Sequence, residues 1–127
     1  MKVFARITLL FFVILGSSRS HLPWFNQYKV DYKIHDDFYD RLFVPCEGGS
    51  GHYHFRYYNL PYHWDYRGKY LYVPKGRFAY FKRYQVQASV YDIDFHVTLK
   101  RTLVFEFAPS FVVKVQIRPF EKEEEKE

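Results

Sequence analysis

Residues 84–118 read YQVQASVYDIDFHVTLKRTLVFEFAPSFVVKVQIR. Val86, Ala88 and Val90 alternate with Gln85, Gln87 and Ser89. Ile93, Phe95, Val97 and Leu99 alternate with Asp94, His96, Thr98 and Lys100. Phe111, Val113, Val115 and Ile117 alternate with Val112, Lys114, Gln116 and Arg118. A period of two sustained this long predicts strands with one buried face and one wet face. The apolar phase changes from even to odd numbers at Tyr91-Asp92, which predicts a β-bulge or a tight turn there. Lys100-Arg101-Thr102 and Ala108-Pro109-Ser110 are the next expected turns.

The same alternation extends towards the N-terminus. Tyr28, Val30, Tyr32 and Ile34 alternate with Lys29, Asp31, Lys33 and His35, a first strand that Asp36-Asp37 ends. Residues 38–44 read as a short strand. Residues 45–51, PCEGGSG, are the sharpest turn signal, with three glycines free to take positive φ. Tyr53, Phe55 and Tyr57 then oppose His52, His54 and Arg56. Residues 59–68 read as a loop, 69–73 as a short strand, and Pro74-Lys75-Gly76 as a turn. The aromatic residues of 77–83 favour a strand. The sum is an all-β chain, an antiparallel β-sandwich or open barrel of about seven to nine short strands.

Both ends lie outside this pattern. Lys2 and Arg6 precede an apolar run of ten, residues 7–16 (ITLLFFVILG), and Ser18 and Ser20 occupy the −3 and −1 positions of an expected cleavage site. This is the layout of a secretory signal peptide. A membrane-crossing helix takes roughly 20 residues, so no membrane partner is expected. The chain divides into a signal peptide at 1–20, a single β domain at 21–120 and an acidic disordered tail at 121–127 (EKEEEKE). The expected location is extracellular.

Formal net charge is +5. Cleavage after Ser20 removes Lys2, Arg6 and Arg19 and leaves a mildly basic chain. Nucleic-acid binders carry a stronger bias, so no nucleic-acid partner is expected. Cys46 is the only cysteine. Small secreted domains usually rest on several disulfides. Packing or assembly must hold this one, and Cys46 is either a buried apolar residue or the site of an intermolecular disulfide.

Three constellations could carry chemistry. His52 and His54, at i and i+2 on one strand, face the same way, and His63 could add a third metal ligand. The plain alternative is a polar, solvent-facing strand side, and no bound cofactor is expected. Residues 67–83 interleave Arg67, Lys69, Lys75, Arg77, Lys82 and Arg83 with tyrosine and phenylalanine. Basic groups meet sulfate or carboxylate while aromatic faces stack on sugars, so these six are candidates for polyanion or glycan binding. Asp92 and Asp94 could form a carboxylate pair on one strand face. Gly48-Gly49-Ser50-Gly51 departs from the G-x-S-x-G elbow of hydrolases, because His52 stands where the last glycine belongs.

No coherent catalytic set emerges, and the chain is expected not to be an enzyme. Tyr numbers 13 and Phe 14, more than a small core needs, which predicts many surface tyrosines. The composition resembles that of secreted tyrosine-rich matrix proteins of shell, cuticle or skeletal material. The expected function is a structural, extracellular-matrix one. Its partners would be other matrix proteins, acidic glycans or a mineral surface, with possible homo-oligomer formation through edge strands. The alternative is a secreted small-ligand carrier or a protein or glycan recognition module.

Overall fold

The computed structural model describes residues 22–76, 81–109 and 112–120. The expected signal peptide, the acidic tail and Arg77 lie outside these. Among the described residues there are ten strands: β1 (Trp24–Phe25), β2 (Asp31–Ile34), β3 (Tyr39–Phe43), β4 (Cys46–Glu47) and β5 (Tyr53–Tyr58), then β6 (Asp65–Arg67), β7 (Tyr70–Pro74), β8 (Lys82–Asp92), β9 (Val97–Ala108) and β10 (Val112–Pro119). A 3-10 turn, Gln27–Lys29, precedes β2. Ten is one more than the upper end of the expected range; β1 and β4 are each two residues long and too short to show alternation.

All pairings are antiparallel. One four-stranded sheet has the order β10-β9-β8-β5 and the other β2-β3-β7-β6, with β1-β4 as a small annex. The architecture is a β-sandwich. Val86, Ala88 and Val90 of β8 and Leu99, Leu103, Phe105 and Phe107 of β9 fill its interior from one sheet, and Leu42, Leu71 and Val73 from the other.

The phase change is a tight turn. Val90 pairs with Leu99 and Val86 with Leu103, so even residues of β8 oppose odd residues of β9. Residues 93–96 make the turn, closed by His96 N–H to the Asp92 carbonyl at 2.9 Å. Ile93 and Phe95, expected to point inward, sit in this turn and are exposed. The expected turn at Lys100-Arg101-Thr102 is overturned, because β9 runs straight through it. Both flanks hold the strand there: Arg101 pairs with Ala88 on one side and Pro119 on the other. Backbone ladders do not depend on side-chain polarity, so a charged triplet between two partners stays extended.

The first strand is shorter than its pattern. Tyr28 falls in the 3-10 turn, and both it and Ile34 are exposed, while Val30 and Tyr32 pack on the core. The segment 59–68 contains β6 as well as a loop. That loop carries Trp64 into the sandwich, where it is buried against Tyr84 (5.2 Å), Phe105 (6.1 Å) and Phe107 (6.2 Å) between ring centres.

Aromatic rings also close both seams between the sheets. Tyr32 meets Phe107 at 5.9 Å and Tyr57 meets Tyr66 at 5.4 Å. Their hydroxyls are anchored, Tyr32 donating to Asp40 at 2.7 Å and Tyr57 to the Lys69 carbonyl at 3.1 Å. The expectation of many surface tyrosines holds: of the described tyrosines only Tyr57 is buried, Tyr28, Tyr58, Tyr62 and Tyr91 are exposed, and the rest are half-buried. Among the described tyrosines only Tyr28 and Tyr62 are more than half exposed. A phenol can bury its ring and still satisfy its oxygen, so tyrosine here serves as edge packing in a fold without a disulfide.

Candidate functional site

Alternation along β3, β6 and β7 turns Leu42, Tyr66, Leu71 and Val73 inward. It leaves Tyr39, Arg41, Asp65, Arg67, Tyr70 and Tyr72 on the opposite face. The register sets Arg41 beside Tyr72 and Arg67 beside Tyr70. Gly68, at φ 58°, turns β6 into β7 and places Lys69 at the same end of the sheet.

The result is a cluster of cations on rings. The Arg41 guanidinium lies 4.4 Å from the centre of the Tyr70 ring. The Lys69 ammonium lies 5.4 Å from that ring and 5.1 Å from Phe43, and the two rings are 5.5 Å apart. Each such contact stabilises by about 0.5–1 kcal/mol at an exposed site. Among the described residues, none of Arg41, Arg67 and Lys69 has a carboxylate within ion-pair distance. A guanidinium flat on a ring keeps its in-plane N–H donors available to an anion.

A groove of about 190 Å³ adjoins this cluster, lined by His35, Asp36, Tyr39, Asp65, Arg67 and Tyr72. The His35 ring stands 4.8 Å from Tyr72. Asp36 accepts from the N–H groups of Tyr39 (2.7 Å) and Phe38 (2.8 Å). Those bonds hold its carboxyl below the usual range.

Of the six basic candidates, the five among the described residues are dispersed. Arg67 and Lys69 stand on the aromatic face. Lys75 is 2.6 Å from the buried Asp40 and is neutralised there. Lys82 and Arg83 belong to the other sheet, where Arg83 pairs with Glu106 at 2.6 Å. Arg41 is the member that sequence reading missed. It was hidden because only the β3–β7 pairing brings it to Tyr70.

The three histidines are not brought together. His54 faces out from β5, directly across from Tyr91. His52 Nδ1 lies 3.6 Å from Asp94 Oδ2. His63, at φ 69°, stands in the 59–64 loop with its ring 3.8 Å from that of Tyr62. Among the described residues no group of three or more His, Cys, Asp or Glu side chains is placed to hold a metal ion. A different neighbour appears instead: Tyr91 Oη is 2.9 Å from His96 Nδ1.

The glycine-rich turn proves to be a brace. Asp92 is fully buried and accepts from Ser50 N–H (2.7 Å), Ser50 Oγ–H (2.6 Å), Phe95 N–H (3.0 Å) and Asp94 N–H (3.2 Å). Burial pushes its pKa up, but the bonds from Ser50, Phe95 and Asp94 prevail and hold it below the ordinary value. Ser50 gives its proton to Asp92, and its oxygen accepts from His52 N–H at 3.1 Å, so it is not poised as a nucleophile. Asp94 is exposed in the turn, so Asp92 and Asp94 are not a paired set on one strand face.

Cys46 is half-buried beside this turn, and burial pushes its thiol up to about 12. The Tyr53 phenol, also raised to about 12 by burial and by Cys46, donates to the Gly48 carbonyl. A thiolate is scarce in such a place, so an intermolecular bridge requires this corner to open.

No protein-family model, curated protein or solved structure matches the chain.

Proposed function

We propose that the chain is a secreted, non-enzymatic extracellular-matrix protein that holds acidic glycans on the aromatic, cationic face of its β2-β3-β7-β6 sheet. The observation that carries this reading is the Arg41–Tyr70–Lys69–Phe43 cluster, cations fixed on rings with no carboxylate among the described residues to neutralise them. Sulfate or carboxylate oxygens would take the N–H donors, and exposed ring edges would meet the sugar. The adjoining groove carries Arg67 and two tyrosines but also the carboxylates of Asp36 and Asp65, so the anion-binding footprint stays on the cluster itself. The n-region and apolar run of residues 1–20 support secretion. The filled interior counts against a carrier that holds its ligand between the sheets, since Trp64, Phe105 and Phe107 occupy that space.

The test is retention on an immobilised sulfated polysaccharide, with a neutral one as control. The full chain is expected to bind the first alone and to elute with salt, since exposed charges are screened over about 8 Å at physiological ionic strength. Arg41→Ala with Lys69→Ala should elute at clearly lower salt. Lys114→Ala with Arg118→Ala, basic residues on β10, should not. Passage of the unmodified protein through the sulfated column at low salt, or equal loss from both double variants, would overturn the reading.

A further inference from the structure

The turn that joins β8 to β9 gathers groups that the polyanion face does not use. Tyr91 ends the wet face of β8, with His54 directly across from it on β5. Five residues on, His96 adopts φ 56°, a left-handed conformation uncommon for a residue with a Cβ. The four-residue turn brings the imidazole back to Tyr91, and Nδ1 reaches the phenol oxygen at 2.9 Å. The pair is solvent-accessible, Tyr91 being 38% exposed. The other exposed phenols lack an imidazole hydrogen-bond partner among the described residues: Tyr58, also 38% exposed, lies beside Arg56, a cation that cannot accept a proton. Tyr28, at 88%, and Tyr62, at 83%, have no hydroxyl hydrogen bond among the described residues.

A phenol bonded to a neutral imidazole can lose an electron and its proton together, because the base stands at hydrogen-bond distance. We propose that Tyr91, with His96 as its proton acceptor, is an oxidative coupling site through which two copies of this chain are joined as dityrosine. The oxidant is hydrogen peroxide acting through a haem peroxidase. Each Tyr91 gives one electron to the peroxidase, its O–H bond breaks, and the proton passes to His96 Nδ1. The two neutral phenoxyl radicals form one carbon–carbon bond between ring positions ortho to oxygen. The ortho hydrogens then move to the oxygens and restore both phenols. Two electrons and two protons leave the pair, and one peroxide takes them up to become two waters. The site is separate from Arg41 and Lys69, so its failure leaves the glycan reading untouched.

The experiment treats the full chain with peroxidase and peroxide, measures dityrosine fluorescence and covalent dimer, and maps the linked peptides by mass spectrometry. The expected product is a dimer linked through Tyr91. Tyr91→Phe is expected to lose most of it, while Tyr28→Phe and Tyr62→Phe leave it unchanged. His96→Asn, which tolerates the left-handed backbone, should slow coupling severalfold with the fold intact by circular dichroism. Linkage mapped to Tyr28 or Tyr62 instead of Tyr91, or an unchanged rate in His96→Asn, would overturn the proposal.

Discussion

Gly49 and Asp92 depend on each other. Gly49 has φ 59°, and a Cβ there would collide with Asp92 Oδ2. Gly49→Ala is expected to destabilise by about 2 kcal/mol or more, through backbone strain and displacement of the carboxylate. Chemical denaturation measures it. Because the folded pKa of Asp92 lies below its ordinary value of 3.8, its stabilisation is present above that value and is lost as pH falls through the lower one. Asp36 acts with the same sign. A urea series is expected to show the midpoint dropping below about pH 4, and more shallowly in Asp92→Asn. Trp64 gives a second contrast. Its ring fills the sandwich, but its Nε1 has no hydrogen-bond partner among the described residues. Trp64→Ala should cost about 3–5 kcal/mol, whereas Trp64→Phe should cost under about 1.5 kcal/mol, because it also removes an unsatisfied donor.

At the scale of the element, the turn at residues 93–96 sets the phase of everything after it. Deleting Asp94 would shift β9 by one residue against β8 and turn Leu99, Leu103, Phe105 and Phe107 outward. Loss of cooperative thermal unfolding is the expected outcome, and retention of a sharp transition would mean that the turn absorbs the deletion. Much of this level was legible in the sequence. The alternation of β5, β8 and β10 named their buried faces, because one side of each is wet. Continuity of β9 through Lys100-Arg101-Thr102 was not legible, because its cause is the ladders to β8 and β10. The proximity of Tyr91 and His96 was hidden for a related reason: read as one extended run, residues 91–96 would hold the two side chains far apart. Arg41 and Tyr70 meet only through β3–β7 pairing, which no local pattern encodes. The burial of Trp64 was hidden too, because Pro61 and Gly68 mark a loop without saying which of its side chains turns inward.

The whole molecule is two sheets closed by aromatic rings, with a single thiol and no internal bridge. Its covalent dimerisation, on the coupling proposed above, depends on an oxidant and not on disulfide exchange. Native Cys46 is accordingly expected to react with a disulfide reagent at pH 8 about 10- to 100-fold more slowly than the unfolded chain, because burial pushes its thiol up and the scarcity of thiolate outweighs its greater nucleophilicity. Equal rates would mean that the corner is open at rest. The cover over that thiol also has a mechanical meaning. β1 is held to β4 by two register pairs, Trp24 with Glu47 and Phe25 with Cys46. Asn26 adds its N–H to the Pro45 carbonyl at 2.8 Å and its amide to Glu47 at 3.1 Å. Tension applied at Leu22 acts directly on these few bonds, far fewer than those of the long β8–β9 ladder. Stretching the chain from that end would therefore peel β1 away first and uncover Cys46. A thiol that is silent at rest becomes a gauge of force, readable as faster labelling of a tethered molecule under pull.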